Sequence, residues 1–116
     1  MAANKKINKL ENSLNTTDAT VTTILTVTIP SGHSIAGKVV VVSRNTSTGA
    51  TKDFQSGIVA KNVSGTVTTG SSFSNLLADE ATSVSITNSG NDMLIRVTGI
   101  AATNIDWFAE IEYIEN

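Results

Sequence analysis

Apolar and polar residues alternate most strictly near the C-terminus. Trp107, Ala109, Ile111 and Tyr113 share one face of an extended chain, and Asp106, Phe108, Glu110 and Glu112 share the other. A period of two over eight residues predicts a strand with one buried face. The same period places Met93, Ile95 and Val97 together with Arg96 opposite, and Val84 with Ile86. Asn88-Ser89-Gly90-Asn91 between them predicts a hairpin turn. Further back, Val21, Leu25, Val27 and Ile29 form one face of a strand whose other face is mostly threonine, interrupted by Ile24. Pro30-Ser31-Gly32 ends it, because proline cannot extend a central ladder. Val39-Val40-Val41-Val42 has no alternation at all, which predicts a strand covered on both faces, inside the sandwich or under another subunit.

Shorter strands are expected around 50–54, 57–61 and 63–68, with Gly57 and Gly65 at bulges or turns. Residues 70–80 are polar, anchored by Phe73, Leu76 and Leu77, and read as a connection between sheets. Seven or eight strands with turns every 8–12 residues predict an all-β, antiparallel two-sheet sandwich, with a jelly roll as one topology. The N-terminus differs. Ile7, Leu10 and Leu14 recur at spacings of three and four, a helical stripe. The expected organisation is an arm, partly helical or extended, over residues 1–17 and a β-sandwich over 18–116.

Composition strengthens the β reading. Thr, Ser and Asn make up 41 of the 116 residues, and Val and Ile another 22. The β-branched types suit a pleated, half-buried surface, and Asn and Ser suit the turns. Net charge is −2, which argues against a nucleic-acid partner. No run is long enough to suggest a membrane span, and the lysines at 5, 6 and 9 are followed by no apolar segment of signal-peptide type. Without cysteine, disulfides and thiolate metal sites are excluded.

Candidate chemistry is sparse. His33 is the only histidine and lies between two predicted strands. A nucleophilic site would need a positioned serine and an orienting acid. No Gly-x-Ser-x-Gly elbow is present, and serines are too numerous for a nearby one to carry meaning. Asp79-Glu80 and Asn91-Asp92 read as turn residues, since calcium loops need six to eight spaced oxygens. The reading is therefore a protein that is not an enzyme, with no catalytic, cofactor or metal residues. Charge does point somewhere. Lys5, Lys6 and Lys9 make a basic head, while Asp106, Glu110 and Glu112 make an acidic strand face. Like charges on one strand face gain from a positive partner. Lys5, Lys6, Ile7, Lys9, Leu10 and Leu14, with Asp106, Phe108, Glu110 and Glu112, are thus the candidate interface, the arm of one subunit meeting the last strand of another.

The ending Val97-Thr98-Gly99-Ile100-Ala101-Ala102-Thr103-Asn104-Ile105-Asp106-Trp107-Phe108-Ala109-Glu110-Ile111-Glu112 resembles that of small β-rich structural proteins of tailed bacteriophages. In those, a strand closes in V-x-G, a loop of small residues follows, and T-x-I-x-W opens the final strand. The resemblance covers about the last 35 residues. It implies a virion protein made in the host cytoplasm. The first expectation is a capsid decoration or cement protein on the head surface, partnered by the major capsid protein and by copies of itself as a homotrimer. The alternative is a receptor-binding domain of a tail or head fibre. It implies no catalytic residue.

Overall fold

The computed structural model describes residues 7–116. Eight strands follow one another: β1 (Ile7–Thr16), β2 (Val21–Thr28), β3 (Ser34–Asn45), β4 (Thr51–Val63), β5 (Thr66–Ser71), β6 (Ser83–Ser89), β7 (Asp92–Thr98) and β8 (Ile105–Glu115). They form two antiparallel sheets, β1-β8-β3-β4-β5 and β2-β7-β6. The two-sheet sandwich expected from alternation is present.

The core lies between the sheets. The five-stranded sheet contributes Ile35, Val39, Val41, Phe54, Ile58, Ile105, Trp107 and Ile111, and the smaller sheet Ile24, Leu25, Val27, Met93, Ile95 and Val97, all buried. Trp107 stacks on Phe54 with ring centroids 6.3 Å apart. Its indole Nε1 donates to the Thr16 hydroxyl at 3.0 Å, so the one polar atom of this large buried ring is satisfied. Asn62, also buried, donates through Nδ2 to the Ile29 carbonyl (2.6 Å) and to Asn91 Oδ1 (2.8 Å), and its own Oδ1 accepts from the Gly65 amide. One side chain thus ties the β4–β5 turn to both the end of β2 and the β6–β7 turn.

Four details differ from the sequence expectation. The helical stripe at Ile7, Leu10 and Leu14 is a strand, β1, paired along its whole length with β8. Asn, Ser and Thr fill this segment and are poor helix-interior residues. A ladder of ten residue pairs against β8 offers every backbone group on that side a partner. In β2 the register shifts between Thr23 and Leu25. This bulge turns Ile24 and Leu25 both inward and leaves Val21, upstream of it, exposed. The segment 51–63 is one long strand in which Gly57 is an ordinary position, and Ser64-Gly65 alone, both at positive φ, makes the hairpin.

The fourth difference concerns coverage. Val39 and Val41 are fully buried, but Val40 is only half-buried and Val42 exposed on the opposite face. The valine run has one face against the second sheet and one face outward. The connection after β5 does cross between sheets. It runs beside β4, with backbone bonds from Gln55 to Ser74 and from Asp53 to Leu77. Phe73 packs against the core, whereas Leu76 (84% exposed) and Leu77 face solvent. The Asp53 carboxylate holds this segment by accepting from the amides of Leu76 and Leu77, both at 2.8 Å.

Candidate functional site: the outer face of the five-stranded sheet

Strand registers arrange the outward side chains of this sheet in rows that cross it. The first row is Ile7, Ile114, Ala36, Val59 and Gly70, apolar from edge to edge. Ile7 is 68% exposed, Ile114 54% and Val59 58%. Shallow hollows lie on both sides of Ile114, one of about 320 Å³ lined by Ile7, Ala36, Gly37 and Tyr113, another of about 220 Å³ lined by Ile35, Ala36 and Val59. The second row is charged: Lys9, Glu112, Lys38, then Gly57. Next come Glu11, Glu110, Val40 and Gln55, then Ser13, Phe108, Val42 and Asp53, and last Asn15, Asp106, Arg44 and Thr51. A contiguous exposed apolar band of this kind is the usual mark of an interaction surface.

Electrostatically the face has two halves. Strands β1 and β8 present Glu11, Asp106, Glu110 and Glu112 against Lys9, while β3 and β4 present Lys38, Arg44 and Lys61 against Asp53. Lys9 sits 3.4 Å from Glu110 and 3.9 Å from Glu11. The hydrogen bond and charge of Glu110 hold the Lys9 ammonium above its ordinary pKa. Asp53 is held below the usual carboxylate range by the Leu77 amide first, then by Gln55 and the Leu76 amide.

The candidate residues read from the sequence divide between the two sides of this sheet. Ile7, Lys9, Asp106, Phe108, Glu110 and Glu112 all lie on the outer face, and the β1–β8 pairing brings them together within one chain. Leu10 and Leu14 lie on the inner side, and Leu14 packs against the core. Lys5 and Lys6 fall outside the described residues. The β3–β4 half of the face, with Lys38, Arg44, Val42 and Val59, was missed as a site. Its signal was the unbroken valine run, in which the outward valines are as apolar as the inward ones.

His33 precedes β3, and its Nδ1 lies 2.7 Å from Glu115 Oε2 at the end of β8. Asn8 and Asn116 complete a small cleft around this pair. No serine hydroxyl is hydrogen-bonded to the ring among the described residues, so the geometry is a histidine–carboxylate hydrogen bond at a strand end and not a nucleophile with its base.

No family model matches the chain, and no curated protein matches it. Solved structures do. A tailspike protein, gp49, of the Acinetobacter baumannii bacteriophage Fri1, described as a capsular polysaccharide depolymerase, superposes with a TM-score of 0.51 at 14% identity. The match covers 91% of this chain and 17% of the tailspike's. The tailspike proteins of Acinetobacter baumannii phage AM24 and of Acinetobacter phage vB_ApiP_P1 give TM-scores of 0.48 and 0.42 at 11% and 15% identity. They are covered over 26% and 22% of their lengths, with 91% and 96% of this chain. The fold is thus one that occurs as a small part of the much longer Fri1 tailspike chain.

Proposed function

We propose that this chain is a bacteriophage virion module, a β-sandwich of the host-contacting tail spike or fibre, with a positioning and binding role and no turnover of its own. The observation that carries the reading is the likeness of 91% of the chain to a portion amounting to 17% of the Fri1 tailspike. A module of that size is a part of a spike, and the depolymerase activity belongs to the tailspike as a whole. The phage-type ending of the sequence supports the same reading. The residues on the exposed sheet face support it too, since an apolar row bordered by charges suits docking.

The capsid decoration role, the first expectation from the sequence, gains no support from this likeness, so the fibre alternative takes precedence. Cosedimentation separates them. The labelled chain should sediment with encapsulated bacteria and not with purified phage heads, and it should release no reducing ends from capsular polysaccharide. Binding to heads alone would reinstate the decoration role. Release of reducing ends that disappears in His33→Ala would make the chain an enzyme.

A further inference from the structure

The rows on the outer face of the five-stranded sheet have a symmetry that a single chain does not use. Strands β8 and β3 are central neighbours, and their outward pairs are Ile114–Ala36, Glu112–Lys38, Glu110–Val40, Phe108–Val42 and Asp106–Arg44. Two are apolar with apolar and two are acid with base. A second copy laid face to face, by a two-fold axis parallel to the strands and between β8 and β3, sets each β8 over the partner's β3. Each row then meets its own counterpart. Ile114 lies over Ala36 and Phe108 over Val42, while Glu112 meets Lys38 and Asp106 meets Arg44. The flanking strands agree. Ile7 of β1 lies over Val59 of β4, Glu11 over Gln55, and Lys9 over Gly57, where the missing side chain leaves open space. The acidic half of one copy covers the basic half of the other. Glu110, already paired with Lys9, is the one carboxylate that would meet an apolar residue, Val40.

Turning the second copy about an axis across the strands, through the middle row, would instead put Ile114 over Asp106 and Ala36 over Arg44. Complementarity therefore selects one arrangement. The four strands that overlap, β1, β8, β3 and β4, lie about 4.8 Å apart and run about ten residues at ~3.3 Å each, which gives a shared face on the order of 600 Å². That is about what each partner contributes at the lower end of the range of specific interfaces, on the order of 600 Å². Among the described residues the lysine and arginine ion pairs within the chain are Lys9–Glu11 and Lys9–Glu110, so Lys38, Arg44, Glu112 and Asp106 make none there.

We infer that the outer face of the five-stranded sheet is a self-complementary docking surface for a second copy of this chain, pairing β8 of each copy with β3 of the other. The inference stands on the chain's own registers and holds whether or not the virion reading does. In an isologous interface every contact occurs twice, which gives a decisive test. Sedimentation and light scattering of the full chain should give a dimer of the 12.1-kDa subunit. Glu112→Lys alone, or Lys38→Glu alone, creates two like-charge contacts per dimer and should weaken association on the order of 10- to 100-fold. An equimolar mixture of the two variants has both contacts complementary and should recover the wild-type dimer as a mixed species. The outward positions leave the core untouched, so circular dichroism should match the wild type. If either variant is unfolded, Asp106→Arg and Arg44→Asp provide the same mixing test. A monomeric or trimeric wild type, a dimer indifferent to either reversal, or a mixture that stays dissociated would overturn the inference.

Discussion

The two outer faces of the sandwich are built by the same alternation, yet they are chemically unlike. Outward residues of the three-stranded sheet are Val21, Thr23, Thr26 and Thr28 on β2, Ser83, Ser85, Thr87 and Ser89 on β6, and Asp92, Leu94, Arg96 and Thr98 on β7. Two thirds of these are hydroxyls, which hydrogen-bond water readily and form no directional charge pattern. The five-stranded face carries the apolar row, the Phe108–Val42 pair and two oppositely charged halves. Hydroxyl-bearing β-branched residues satisfy strand geometry while keeping a face wet. Exposed valine, isoleucine and phenylalanine satisfy the same geometry and favour removal from water, by roughly 25 cal/mol per Å² of apolar area. One face is therefore finished as a solvent boundary, and the other has surface left to bury.

The contrast can be broken from beneath, and that gives the largest effects. Trp107→Ala removes the ring that stacks on Phe54 and holds Thr16 at the end of β1. Denaturant unfolding should show a loss of about 3–5 kcal/mol. Met93→Ala, under the hydroxyl face, should cost about 2–5 kcal/mol by the same cavity argument. Trp107→Ala should also impair dimerisation, because β8 carries half of the proposed contacts, whereas Met93→Ala should leave association intact in the folded fraction. Asn62→Ala leaves the Ile29 carbonyl and the Gly65 amide without their partner. A decrease of about 1–3 kcal/mol is expected.

A matched surface pair sharpens the comparison. Phe108→Thr and Leu94→Thr each place threonine at an outward strand position, and each should alter unfolding stability by no more than about 0.5 kcal/mol. Only Phe108→Thr should weaken self-association in sedimentation. Equal weakening by both would mean that the two faces are equivalent.

The smallest effect is local. The pKa of Asp53 is lowered in the folded chain, so its contribution to stability is present above the unfolded carboxylate value near 3.8 and fades as pH falls through the lower folded value. Protection of the Leu76 and Leu77 amides against hydrogen exchange, taken relative to the intrinsic rate at each pH, should therefore be high at neutral pH and fall as Asp53 protonates in acid. Asp53→Ala should show low protection of these amides at both, with the rest of the sheet unchanged.

Much of the fold was legible because burial on one side of a strand leaves a local trace. The inward sets of β6, β7 and β8 can be read directly from alternation, and Gly65 and Gly90 sit at the positive-φ turn positions their neighbours suggest. Other features left misleading traces. Leu10 and Leu14 are four apart, which suits one face of a helix and equally one face of a strand, where even spacing is all that matters. The bulge at Ile24 appeared only as an intrusion into a threonine face. Leu76 and Leu77 read as anchors, but the segment is held where their backbone amides donate to the Asp53 carboxylate, and hydropathy carries no record of those bonds.

The candidate site was half visible for the same reason. Asp106, Phe108, Glu110 and Glu112 alternate within one strand, so their shared face follows from the chain alone. That Lys38 and Arg44 stand beside them follows only from β3 lying next to β8, two strands about seventy residues apart in the chain. By itself the sequence determined that this is a thiol-free, mainly β protein, which residues of β6, β7 and β8 share a side, and that tight turns fall at Gly65 and Gly90. These depend on interactions within a few residues. Tertiary structure decided that β1 pairs with β8, that Trp107 meets Thr16 across 91 positions, and that five separate strands line up into an apolar row and a charge-matched face. A hydrogen-bond ladder accepts any extended neighbour, so the choice of neighbour and register is made by the packing of the whole core.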